Sequence, residues 1–130
     1  MIGSLRGVSV WAYGHPCDMR KSFNTLQALV EEQMKGDLST GDLFLFVAKN
    51  GKRAKVLYFD GTGLCLFSKR LESGKFATPW KGPMSKKLEL TATELALFME
   101  GSESLGRARL SPPLLRKADL REKSFSKKVS

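Results

Sequence analysis

A chain of 130 residues, 42% hydrophobic, is long enough to form one domain with its own core, and it carries a formal net charge of +9. Cys17 and Cys65 lie outside any Cys-x-x-Cys pair and His15 is the single histidine, so no metal and no cofactor is expected. With no cleavage signal behind Met1 and no apolar window near the ~18 residues of a membrane span, the expectation is a reduced, cytoplasmic protein without membrane contact.

Residues 8–13 are rich in β-formers and stop at Gly14-His15-Pro16, which predicts a short first strand. From Asp18 onward, Met19, Phe23, Leu26, Val30 and Met34 recur every three or four positions, with Gly36 just past the end. This is an amphipathic helix, with Asp18 placed as its N-cap and Arg20 and Lys21 projecting from its start.

The apolar run 43–48 and the segment 53–59 flank Asn50-Gly51, a hairpin signal. A two-residue turn sets Leu45 opposite Val56 and Phe46 opposite Lys55. One face then holds Leu43, Leu45, Val47, Val56 and Tyr58, and the other holds Phe44, Phe46, Leu57 and Phe59 with Arg53 and Lys55. A longer turn would exchange these faces.

After Asp60-Gly61-Thr62-Gly63, residues 64–72 read as a second helix, with Leu64, Phe67, Ser68 and Leu71 on one face and Lys69 and Arg70 exposed. Residues 75–80 and 88–90 read as short strands. Thr91-Ala92-Thr93-Glu94 is a capping box that opens a third helix, with Leu95, Phe98 and Met99 inward. The expected fold class is α+β, a small mainly antiparallel sheet with about three helices packed against it. The domain is placed at 1–104. Residues 105–130, proline-containing and basic, are expected to be a flexible, disordered tail, with room for a short helix over 113–122.

The charge is unevenly divided. Residues 49–87 hold ten basic and two acidic side chains, and 107–130 hold eight against two, while 1–48 and 88–106 are net acidic. Clustered positive charge favours polyanions without implying a preferred sequence. The candidate nucleic-acid contacts are therefore Arg20, Lys21, Lys49, Lys52, Arg53, Lys55, Lys69, Arg70 and Lys75, weighed against a merely solvated basic face.

Other motifs are weaker. Gly61-Thr62-Gly63 resembles the start of a dinucleotide fingerprint, but Leu66 occupies the position of the third glycine. Two readings stay open, a phosphate perch at a helix N-terminus and a plain strand-to-helix turn. His15 and Cys17 flank Pro16 without a second histidine, so no catalytic residue is assigned. Asp18, Asp42 and Asp60 sit at element boundaries, where carboxylates cap turns more often than they hold a metal. Trp11, Trp80, Phe44, Phe46 and Phe59 could stack on bases, although core packing accounts for most of them.

Three strings carry a family resemblance: Asp18-Met19-Arg20-Lys21-Ser22-Phe23, the run from Lys55 through Asp60-Gly61-Thr62-Gly63 to Phe67, and Lys69-Arg70-Leu71-Glu72-Ser73-Gly74-Lys75-Phe76. In this order they resemble the accessory protein of insertion-sequence-66 transposable elements (TnpB type, the second open reading frame product), over residues 8–101. The chain departs from the family's usual residues at Ser22 (glycine), Asn24 (aspartate) and Phe59 (tryptophan). The resemblance implies a non-catalytic role in transposition, beside a separate transposase and a small helix-turn-helix protein of the same element. It supplies no catalytic residues. Together with the charge it leads to an accessory protein that binds nucleic acid, DNA above RNA, through a basic face. The alternatives are an interaction module that docks the transposase or the helix-turn-helix protein without DNA, and, third, a metal-dependent nuclease.

Overall fold

The computed structural model describes residues 7–86 and 88–101. The 43–59 hairpin forms where Asn50-Gly51 separates two strand-forming segments. Strands β2 (Leu43–Val47) and β3 (Arg53–Phe59) pair antiparallel with Leu45 opposite Val56 and Phe46 opposite Lys55. That register agrees with a two-residue turn at Asn50-Gly51, but the ladder closes earlier. Ala48 N donates to Arg53 O, and Gly51, at φ +73°, donates to Ala48 O inside a tight 48–51 turn.

Strand β1 (Val10–Ala12) runs parallel to β2, and the link between them carries helix α1 (Phe23–Glu32), the crossover that a parallel pair requires. The chain then returns through the short 3₁₀ turn Leu38–Thr40 into β2. Strand β4 (Leu64–Arg70) pairs with β3, and β5 (Glu89–Leu90) pairs with β1 ahead of helix α2 (Ala92–Met99). The sheet order is β4-β3-β2-β1-β5, antiparallel except for β1 and β2.

Helices cover both faces of the sheet, so every residue of β2 is buried. On one face Leu43, Leu45, Val47, Ala54 and Val56 pack against Leu95 and Phe98 of α2, together with Phe76 and Met84. On the other, Phe44, Phe46 and Leu57 pack against Leu26 and Val30 of α1 with Cys17, Met19 and Leu38. Full burial contributes about 1.5–3 kcal/mol for each large apolar side chain. Asp42 ties β1 to the start of β2, its carboxylate accepting from Ser9 N at 3.0 Å and Trp11 Nε1 at 3.1 Å.

Three expectations are corrected. Residues 64–70 form a strand, not a second helix, so the described residues contain two α-helices where about three were expected. The outer edge of β3 needs a hydrogen-bonding partner, and Leu64 and Leu66, alternate residues, complete the α1 side of the core. Residues 75–80 form an irregular loop that lays Phe76 on α2, its ring stacked on Phe98 at 4.9 Å. Asp18 does not cap α1. Ser22 holds the N-cap position without a side-chain bond, and Asp18 instead folds onto Arg20. Phe44 and Phe46 lie in the core, in line with the packing reading of these rings and not with base stacking. The Thr91–Glu94 capping box forms as expected, with both reciprocal bonds present. The tail over 105–130, the helix within it and the boundary at 104 lie outside the described residues.

Candidate nucleic-acid interface

The β2–β3 turn organises the basic side chains. Gly51 is buried beneath the following loop, and its carbonyl accepts Phe76 N at 2.7 Å, while Lys52 O accepts Leu71 N at 2.9 Å. A Cβ at Gly51 would sit 3.3 Å from Phe76 O, in a left-handed conformation that favours glycine. The chain from 71 to 77 is thereby clasped to the turn. Lys49, Lys52, Lys75 and Lys81 line one cleft there, of about 360 Å³, with Asn50 and Thr78. On the other side of Lys49 and Asn50, Arg53 and Arg20 line a second cleft of about 540 Å³. Arg70 lies opposite Arg53 on the neighbouring strand.

Lys49, Lys52, Arg53, Arg70, Lys75 and Lys81 are all exposed, and none pairs with a carboxylate among the described residues. Arg20 is different. Its guanidinium donates Nη2 to Asp18 Oδ2 at 2.7 Å and Nε to both carboxylate oxygens at 3.1 Å. These bonds, with the Arg20 amide on Oδ1, hold the Asp18 carboxyl well below the usual carboxylate range and offset the arginine's charge.

The structure disperses the remaining candidates. Lys55 is half-buried on the α1 side, donating Nζ to Met19 O at 2.8 Å and Lys21 O at 2.7 Å. It staples the approach to α1 to the sheet. Lys21 is half-buried nearby. Lys69 faces the other side of the sheet and donates Nζ to Met99 O at 2.7 Å, at the C-terminal end of α2 where a cation is favoured. A helix over 64–72 would have put Lys69 and Arg70 on one exposed side, whereas the strand sends them to opposite faces. Lys81 was not among the candidates; its membership in the basic 49–87 block was the available signal.

Gly61-Thr62-Gly63 precedes a strand, so no helix N-terminus stands behind it to hold a phosphate. Asp60 fills the turn itself. Its Oδ1 accepts Thr62 N at 2.8 Å, Thr62 Oγ1 at 2.9 Å and Gly63 N at 3.0 Å, while Gly61 takes φ +103°. The Asp18, Asp42 and Asp60 carboxylates sit in separate local networks, and no group of three or more metal-ligating side chains occurs among the described residues. Burial pushes the Cys17 thiol above its ordinary value, against the opposing charges of Lys21 and Lys55. No described helix is long and apolar enough to cross a membrane.

Over residues 8–107 the chain matches the family described as IS66 Orf2 like protein. It is 38% identical over 102 residues to the uncharacterized protein y4jC of Sinorhizobium fredii (strain NBRC 101917 / NGR234), covering 78% of this chain and 85% of that one. The uncharacterized protein y4hO of the same organism is 36% identical over 102 residues, covering 78% and 86%. No solved structure matches the chain.

Proposed function

The chain belongs to the IS66 Orf2-like family, which serves transposition in an accessory role, and from that premise we propose that it binds duplex DNA through the cationic end of its sheet, without catalysing a step. One observation carries this reading: Lys49, Lys52, Arg53, Arg70, Lys75 and Lys81 gather around the β2–β3 turn with no carboxylate partner among the described residues. Such a cluster raises the local concentration of phosphates and positions a duplex through its backbone, leaving base preference unspecified. Transposase and the helix-turn-helix protein of the element would be held on the same DNA.

Electrophoretic mobility shift with the full chain tests this reading. Replacing Lys49, Lys52, Arg53 and Arg70 together by glutamine is expected to abolish the shift. Unchanged binding by that variant contradicts it. Capture of the transposase in nuclease-treated extract, lost in the same variant, would support the docking alternative instead.

A further inference from the structure

Strand β4 forms one margin of the sheet, and no described strand pairs with its far side. The phase of its hydrogen bonds is fixed at both ends. Leu71 N donates to Lys52 O at 2.9 Å, and Asp60 N donates to Gly63 O at 3.1 Å. In an antiparallel ladder with Leu64 opposite Phe59 and Arg70 opposite Arg53, Cys65, Phe67 and Lys69 therefore bond β3. Leu64, Leu66, Ser68 and Arg70 point their amide and carbonyl groups outward. Phe67, 51% exposed, stands at the centre of this edge.

We propose that β4 pairs antiparallel with β4 of a second copy of this chain, forming a two-fold dimer centred on Phe67. The argument is the self-complementarity of the edge. With Phe67 opposite Phe67, Leu66 meets Ser68 and Leu64 meets Arg70 of the other copy, so every outward-facing residue meets another outward-facing residue. All of β4 is then paired. The two Phe67 rings fall on a non-hydrogen-bonded pair, where Cα atoms approach to about 4.5 Å and side chains touch. Lys69 faces Cys65 and Arg70 faces Leu64, so no like charges are opposed. A parallel in-register pairing would set Lys69 on Lys69 and Arg70 on Arg70. Centring the axis on Leu66 or Ser68 keeps the hydrogen-bond phase, but it leaves Phe67 opposite Cys65 or Lys69 and runs the pairing beyond one end of the strand. An isologous contact of this kind closes on itself and stops at two copies. At the opposite margin, β5 is only two residues long, too short to serve as such a template.

The dimer is independent of the DNA reading and is measured without DNA. Sedimentation of the full chain is expected to show a concentration-dependent monomer–dimer equilibrium. Phe67→Lys sets two ammonium groups face to face, and Ser68→Pro removes an outward amide while sparing the β3 ladder; each is expected to weaken association roughly tenfold or more with an unchanged circular dichroism spectrum. In a Cys65→Ser background, mild oxidation should link Phe67→Cys into a disulfide dimer and leave Ser68→Cys unlinked. A wild-type chain that stays monomeric at every concentration overturns the proposal. Equal cross-linking of the two cysteine variants, or a dimer indifferent to both Phe67→Lys and Ser68→Pro, does the same.

Discussion

Arg53 and Arg70 lie directly opposite each other on β3 and β4, both exposed and neither paired with a described carboxylate. The ladder phase makes this a non-hydrogen-bonded pair, in which side chains approach most closely. Like charges so placed destabilise a sheet, by about 0.2–1 kcal/mol for a directly opposed pair. The fold tolerates this arrangement, and a bound polyanion would relieve it. Arg70→Glu is expected to raise stability by about 0.5 kcal/mol in low-salt urea unfolding and to weaken DNA binding. Lower stability with unchanged binding would contradict the role given to the pair.

Lys55 is a structural cation, set apart from the six proposed to meet DNA. Lys55→Met keeps the aliphatic stem but strands the Met19 and Lys21 carbonyls, and it is expected to cost about 1–3 kcal/mol. Its DNA affinity and salt dependence should match the wild type once the protein is folded. A variant as stable as wild type but defective in binding would return Lys55 to the interface.

Asp60 gives the hairpin a pH signature. The Thr62 amide and hydroxyl, the Gly63 amide and the Cys65 thiol lower its carboxyl from the ordinary 3.8 to about 2. The ionised form is therefore favoured in the folded state. Its contribution is fully present above about pH 3.8 and is lost as pH falls toward about 2. Asp18 shifts in the same direction, so the informative comparison is between wild type and Asp60→Ala. The variant is expected to be less stable at neutral pH and to lose less stability across that acid interval. Parallel pH profiles in chemical denaturation would contradict the turn's dependence on the carboxylate.

Gly36 closes α1 onto the sheet. Its amide donates to Val30 O, and a Cβ there would lie 2.6 Å from the Phe44 ring, itself in the core. Gly36→Ala is expected to destabilise by about 1–3 kcal/mol through overpacking. Recovery on adding Phe44→Leu, tested as a double-mutant cycle, would identify the ring as the obstacle.

Much of this fold was legible in local turn and cap signals. Asn50-Gly51 between two strand-forming segments gave the β2–β3 register once a two-residue turn was assumed, a longer turn with exchanged faces being the open alternative, and Thr91 with Glu94 marked the start of α2. Residues 64–72 misled because Leu64, Phe67, Ser68 and Leu71 fit a helical face, while Leu64 and Leu66 fit a strand equally well. Only the open edge of β3 decides between the two, and that is a tertiary requirement. The candidate site inherited the same ambiguity. The basic 49–87 block was visible as charge, but the strand placed Lys69 and Arg70 on opposite faces, and the 71–77 clasp brought Lys75 and Lys81 beside Lys49 and Lys52. Lys55 looked like its neighbours until its Nζ was found on two carbonyls.

The central claim is electrostatic attachment to duplex DNA through the cationic end, and its most direct measurement is the affinity of the full chain across a salt series. If the six cations that have no carboxylate partner among the described residues meet phosphates, log affinity should fall linearly with log salt with a slope of about −5, and each single glutamine replacement among them should reduce that slope by about one. A flat salt response, or a slope indifferent to those replacements, would contradict it.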